Sequence, residues 1–152
     1  MELAESKAQN ALDNIDVYVF SPIRGHHVDY TIPVNDPVIT HITFTLDGGD
    51  GGSATIDEYT SNGGQGAKVM ARFEVGNGPG QIPVGSTLRY MVGIKGTSTY
   101  SESVLTIGFV GAGGGGGSGV WYAPPGSNNF TLLAVAGGGG GAYMGTSAGE
   151  QH

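Results

Sequence analysis

None of the 152 positions is a cysteine, so neither a disulfide framework nor a thiolate metal site can be built from this chain. Charge is scarce too: Asp, Glu, Lys and Arg make up 12% of residues, against roughly a quarter in an ordinary globular protein. The formal net charge of -7 is spread along the sequence with no acidic tail, which argues against nucleic acid or an anionic membrane as partner. No apolar run approaches the ~18 residues of a membrane span. Residues 1–15 lack the basic start and apolar run of a secretory signal. A protein of this kind working outside a cell is expected to be a piece of a longer chain, or to leave by lysis or within a particle.

What the chain has in excess is glycine, 30 residues, about three times the usual share. Helical text is confined to residues 1–15, where Met1, Ala8, Leu12 and Ile15 share one face at nearly heptad spacing. A short helix is expected there, marginal alone and suited to a bundle with identical chains. From Asp16 onward, short β-branched and aromatic runs broken by Gly, Pro, Asn and Asp give an all-β signature. Strands are expected over 16–20, 28–32, 38–46, 67–75, 87–94, 104–110 and 130–136. In the third, Val38, Ile42, Phe44 and Leu46 fall on one face; in the fourth, Val69, Ala71, Phe73 and Val75 point inward; in the fifth, Leu88, Tyr90, Val92 and Ile94 do. Strands 104–110 and 130–136 are apolar on both faces and read as central or doubly covered.

Glycine tracts interrupt these runs at 47–52, 62–66, 111–119 and 137–141. Two begin directly after the most apolar strands, where a mobile linker would expose core edges, and disordered glycine would cost more entropy than short strands offset. The tracts are therefore expected to be ordered as extended left-handed helices of the polyproline II type, about three residues per turn, packed side by side. Gly113, Gly114, Gly115 and Gly116, with Gly137, Gly138, Gly139 and Gly140, would form such a core made of backbone.

Several motifs match a chemistry without its context. Gly111 to Gly116 fits G-x-G-x-x-G, but the dinucleotide site needs a helix and then an acidic residue; Val120-Trp-Tyr-Ala-Pro-Pro-Gly cannot be that helix, and 131–136 holds no acid. Gly145-Thr-Ser147-Ala-Gly149 fits a nucleophile elbow, yet only Glu150, Gln151 and His152 follow, too close to complete a triad. Asp47, Asp50, Asp57 and Glu58 match no calcium-loop spacing, and His26, His27 and His41 read as surface or turn positions. No catalytic residue, cofactor or metal is assigned. Aromatic rings beside the glycine tracts or in loops are the better candidates for contact with a partner, by stacking on sugars or anchoring an interface. The binding candidates are Trp121, Tyr122, Tyr143, Tyr59 and Tyr100, with Trp121 and Tyr122 foremost because Pro124-Pro125 follows them.

Taken in order, Leu46-Asp-Gly-Gly-Asp-Gly-Gly, Gly63-Gly-Gln-Gly, Gly85-Ser-Thr-Leu-Arg-Tyr-Met-Val-Gly93, Gly113 to Gly117 and Leu132-Leu-Ala-Val-Ala-Gly-Gly-Gly-Gly-Gly-Ala142 resemble a recurring glycine-rich domain. It occurs in the extracellular part of the anaplastic lymphoma kinase family and in the receptor-binding tips of bacteriophage tail fibres and other bacterial fibre proteins. The resemblance spans about residues 42–143. It implies an all-β domain with packed polyglycine II helices that binds a partner and does not catalyse. The absence of Cys and of a kinase or membrane segment separates this chain from the kinase receptors. Residues 1–15 then resemble the end of a fibre shaft, a short coiled-coil helix leading into a tip over 16–152, intertwined as a homotrimer. The expected partners are further copies of the chain and a bacterial surface glycan or outer-membrane protein, with an extracellular, virion or cell-surface location. A ligand-binding module of an extracellular receptor and a purely structural fibre element remain open beside it.

Overall fold

The computed structural model describes residues 2–7, 14–18, 26–35, 38–102 and 108–145. Its ordered elements are strands, and the described residues hold no helix. The chain divides into two units, each drawn from three separate pieces. Met1–Asp47, Lys68–Val92 and Ser118–Ala136 make the first, and Gly48–Ala67, Gly93–Gly117 and Gly137–His152 the second.

The first unit is a sandwich of two four-stranded antiparallel sheets. One runs in the order β2 (Asn14–Tyr18), β1 (Glu2–Lys7), β4 (Ile39–Asp47), β7 (Lys68–Glu74). The other runs β12 (Thr131–Ala136), β11 (Ser118–Ala123), β8 (Thr87–Met91), β3 (His27–Thr31). Alternation explains the pairing: Ile42, Phe44 and Leu46 of β4 and Leu88 and Tyr90 of β8 are buried in one core, where the Phe44 ring meets those of Phe73 at 5.8 Å and Tyr90 at 6.3 Å. Each such side chain is worth roughly 1.5–3 kcal/mol of burial. Val69, Ala71 and Phe73 take the inner face of β7, while Lys68, Arg72 and Glu74 are exposed, as the alternation requires.

Two bulges redirect side chains in ways a strict period of two does not anticipate. In β4 the register moves from Ser6↔His41 to Lys7↔Ile39, leaving Thr40 as the extra residue. The bulge turns Ile39 into the core beside Ile42, and Val38, expected inside, is exposed. In β12 the register passes from Val120↔Ala134 to Trp121↔Leu132 and skips Leu133. Here β12 is an edge strand with Leu132 and Val135 exposed, not the central strand its apolar sequence suggests.

The helix expected over residues 1–15 is not what the described part forms. Glu2–Lys7 and Asn14–Tyr18 are strands; residues 1 and 8–13 lie outside the described residues. A helix this short has little stability of its own, and β1 instead satisfies its backbone on both sides, against β2 from Glu2↔Tyr18 and against β4 from Glu2↔Thr45. Of the strand expected over 104–110, Phe109 and Val110 belong to an observed strand, while 104–107 lie outside the described residues, as does Ser147.

The second unit combines short strands with glycine-rich segments that have no strand partner pattern. β5 (Ala54–Ile56) lies between β6 (Tyr59–Ser61), antiparallel, and β9 (Thr99–Ser101), parallel. β10 (Phe109–Gly111) pairs with β13 (Tyr143–Gly145). Ala54, Ile56, Val110 and Ala142 form a small core with Ala112 and Met144 packed on it. The two-residue turn Asp57-Glu58 closes β5 on β6 with Asp57 at φ 52°, a left-handed position that Asp tolerates better than most residues.

Candidate functional site

Residues 48–53, 63–67, 93–99, 112–117 and 137–142 of the second unit lie outside the strands, Thr99 excepted, and bond to one another through their backbones. Each contact recurs every third residue. Gly48 and Gly51 donate to the carbonyls of Ala67 and Gly64, and Gly49 and Gly52 to those of Gly116 and Gly113. Gly96 and Thr99 donate to Asp50 and Ser53; Gly139 and Ala142 donate to Gly49 and Gly52. Away from segment 48–53 the interval is the same: Gly64 and Ala67 donate to Gly140 and Gly137, Gly113 and Gly116 to Thr97 and Ile94, and Ala112 and Gly115 to Ala142 and Gly139. These bonds are 2.7–3.0 Å long. The 48–53 segment therefore has the other four around it.

Glycine is required by closeness. A Cβ on Gly115 would meet the Gly49 carbonyl oxygen, one on Gly139 that of Gly64, and one on Gly51 that of Gly140. Gly137 and Gly140, by contrast, face open space. The Asp50 carboxylate, exposed, accepts the Gly66 N–H at 2.9 Å, so one acid of the carboxylate cluster serves the backbone. Asp47 sits 3.7 Å from Lys68, and no group of three metal-ligating side chains occurs among the described residues.

This scaffold carries exposed rings. Tyr59 on β6, Tyr100 on β9, Phe109 on β10 and Tyr143 on β13 are 62–69% exposed. Val110 and Met144, paired across the β10–β13 ribbon, turn to the small core, so the residues on either side of them turn away from it. There the Phe109 and Tyr143 rings lie near-parallel, 25° between planes and 6.2 Å between centroids. Phe109, read from the sequence only as part of a strand, is thus the partner of the candidate Tyr143. Its signal was the glycines beside it, Gly108 and Gly111, which leave a ring uncovered.

Trp121 and Tyr122 belong to the first unit and are consecutive on β11, so they face opposite ways. Tyr122 packs against the core. Trp121 is on the outer face, its ring laid over Gly119, where an added Cβ would come within 2.6 Å of Cη2 and 3.0 Å of Cζ3. The cross-strand row through it reads Asp29, Arg89, Trp121, Leu132. Arg89 grips Asp29 through Nε and Nη2, both at 2.9 Å, and its guanidinium carbon stands 3.9 Å from the centre of the Phe130 ring. The hydrogen bonds from Arg89 hold the Asp29 carboxyl below its ordinary range, helped by the nearby charge of Arg89 and of His27 and opposed by partial desolvation. Sequence reasoning passed over Asp29 and Arg89, whose meeting depends on the register of β3 on β8. Comparison with known protein families, curated proteins and solved structures finds no match to this chain.

Proposed function

We propose that this chain is a recognition module, the receptor-binding tip of a trimeric fibre, in which a glycine layer holds aromatic side chains out toward a bacterial surface component. In this reading the five glycine-bearing segments are polyglycine II helices. The support is the interval of three in their hydrogen bonds, which is what three residues per turn produces when each helix has neighbours on several sides. The observation that carries the functional reading is the pairing of that backbone-built layer with rings left two-thirds exposed: Tyr59, Tyr100, Phe109 and Tyr143. Large apolar rings kept in water by an ordered scaffold are characteristic of contact surfaces, and nothing in this reading calls for chemistry at them.

The test is binding of the fluorescently labelled chain to a panel of bacterial cells and to their purified surface fractions. Saturable binding to at least one strain, weakened tenfold or more in a variant carrying Tyr100→Ala, Phe109→Ala and Tyr143→Ala, is the expected result. Binding that the triple variant keeps in full would remove these rings from the contact surface. A second reading, a ligand-binding module of an extracellular receptor, is favoured by one observation: Glu2–Lys7 and Asn14–Tyr18 are strands of the sandwich and not helical turns of a fibre shaft.

A further inference from the structure

The outer face of the β12–β11–β8–β3 sheet combines two features that no single structural role accounts for. Its centre is an apolar floor, with the Trp121 ring over Gly119 and, in the adjoining row, Met91 and Val135 as the cross-strand partners of Gly119. All three belong to an outer face where Met91, Leu132 and Val135 are at least a third exposed. Beside it is a fixed polar row. The bidentate pair uses two of the five Arg89 N–H donors and leaves Asp29 lone pairs unspent, and His27 Nε2 stands 4.0 Å from Asp29. The pair's charges cancel, so the row offers directed donors and acceptors without a net field. With strands about 4.8 Å apart, the distance from β11 to β3 is about 10 Å.

We infer that this face is a saccharide subsite, taking a pyranose ring flat on Trp121 with its hydroxyl edge turned to Arg89, Asp29 and His27, and room for a second sugar toward β3. A sugar has the two chemistries the face presents: an apolar C–H face for an indole, and vicinal hydroxyls that donate to a carboxylate while accepting from a guanidinium. A protein surface would cover the apolar strip but has no general need of a neutralised, pre-oriented ion pair next to a flat ring. The inference rests on the recognition-module reading and specifies what it recognises.

Trp121 is the only tryptophan, so its fluorescence reports on this face alone. The full chain would be titrated with methyl hexosides and with purified bacterial surface polysaccharides, following Trp121 emission and its quenching by acrylamide. The expected result is a blue shift and reduced quenching with at least one probe, an affinity at least tenfold weaker in Asp29→Asn, and an unchanged circular dichroism spectrum. No response to any probe would overturn the subsite. On whole cells, loss of binding after periodate oxidation of vicinal diols, together with loss in Trp121→Phe, supports it; loss after protease but not periodate assigns the partner to protein and overturns it. Cell binding retained by both Trp121→Phe and Asp29→Asn would sink the subsite but leave the recognition module standing, whereas absence of cell binding and of any emission response would remove both.

Discussion

Gly115 and Gly140 share a sequence context and differ in what surrounds them. At Gly115 a methyl group would run into the Gly49 carbonyl oxygen, an atom of backbone that cannot move without breaking the bonds Gly49 makes to Gly116 and Gly139. Gly115→Ala is expected to destabilise the chain by about 3 kcal/mol, the upper range for overpacking. At Gly140 nothing lies within reach, and Gly140→Ala is expected to be neutral or to stabilise by about 0.5 kcal/mol through the unfolded chain. Chemical denaturation of the two variants tests this, and equal effects would mean that the layer is not packed backbone to backbone. Asp29 makes a separate prediction in pH. Its carboxyl is held below its ordinary value of 3.8 by Arg89, so its contribution to stability is present above that value and is lost as pH falls through the lowered one. Melting temperature should drop through that acid range, and Asp29→Asn should flatten the part of the drop belonging to this pair.

Among elements, the strands with clear alternation were legible; the three-residue strands were not, nor were β1, expected as helix, and β11, six residues expected as the end of a glycine tract and loop aromatics. The runs 38–46, 67–75 and 87–94 announce themselves by alternation and 28–32 by its β-branched and aromatic residues, and β4, β7, β8 and β3 lie on them. Strands of three residues such as β5, β6, β9 and β13 are too short to show a period. The bulges at Thr40 and Leu133 change faces without any mark in the sequence. One mark was present and not used: Gly48-Gly-Asp-Gly-Gly-Ser and Gly93-Ile-Lys-Gly-Thr-Ser both repeat glycine at an interval of three, the interval of the hydrogen bonds. The glycine segments make an element-level prediction in amide exchange. Gly49, Gly52, Gly64, Gly115, Gly116 and Gly139 donate to neighbouring segments and should exchange slowly, as core strands do. Exchange at the rate of free peptide throughout 112–117 and 137–142 would return these segments to linkers and remove the support for the proposed helices.

At the scale of the whole molecule, the chain passes from one unit to the other after Asp47, Ala67, Val92, Gly117 and Ala136, so neither unit is a contiguous piece that could be cut away intact. The first fifteen residues bear most directly on what the protein is. Read as a shaft helix they are dispensable for the fold and necessary for a trimer; as β1 and the start of β2 they are part of a sheet in which β1 lies between β2 and β4. Deleting residues 1–15 removes the strand that fills one side of β4, exposing the backbone opposite Phe44 and Ile42, and is expected to cost more than about 4 kcal/mol or to leave no cooperative transition. Sedimentation of the intact chain supplies the other half of the decision. A mass three times the 15.4 kDa of the chain supports the fibre tip, with contacts that must then come from surfaces other than a coiled coil. A monomer with a strongly destabilised deletion variant favours the receptor module. A deletion variant that melts like the parent but loses mass would show that these residues join copies together and are not a strand of the sheet.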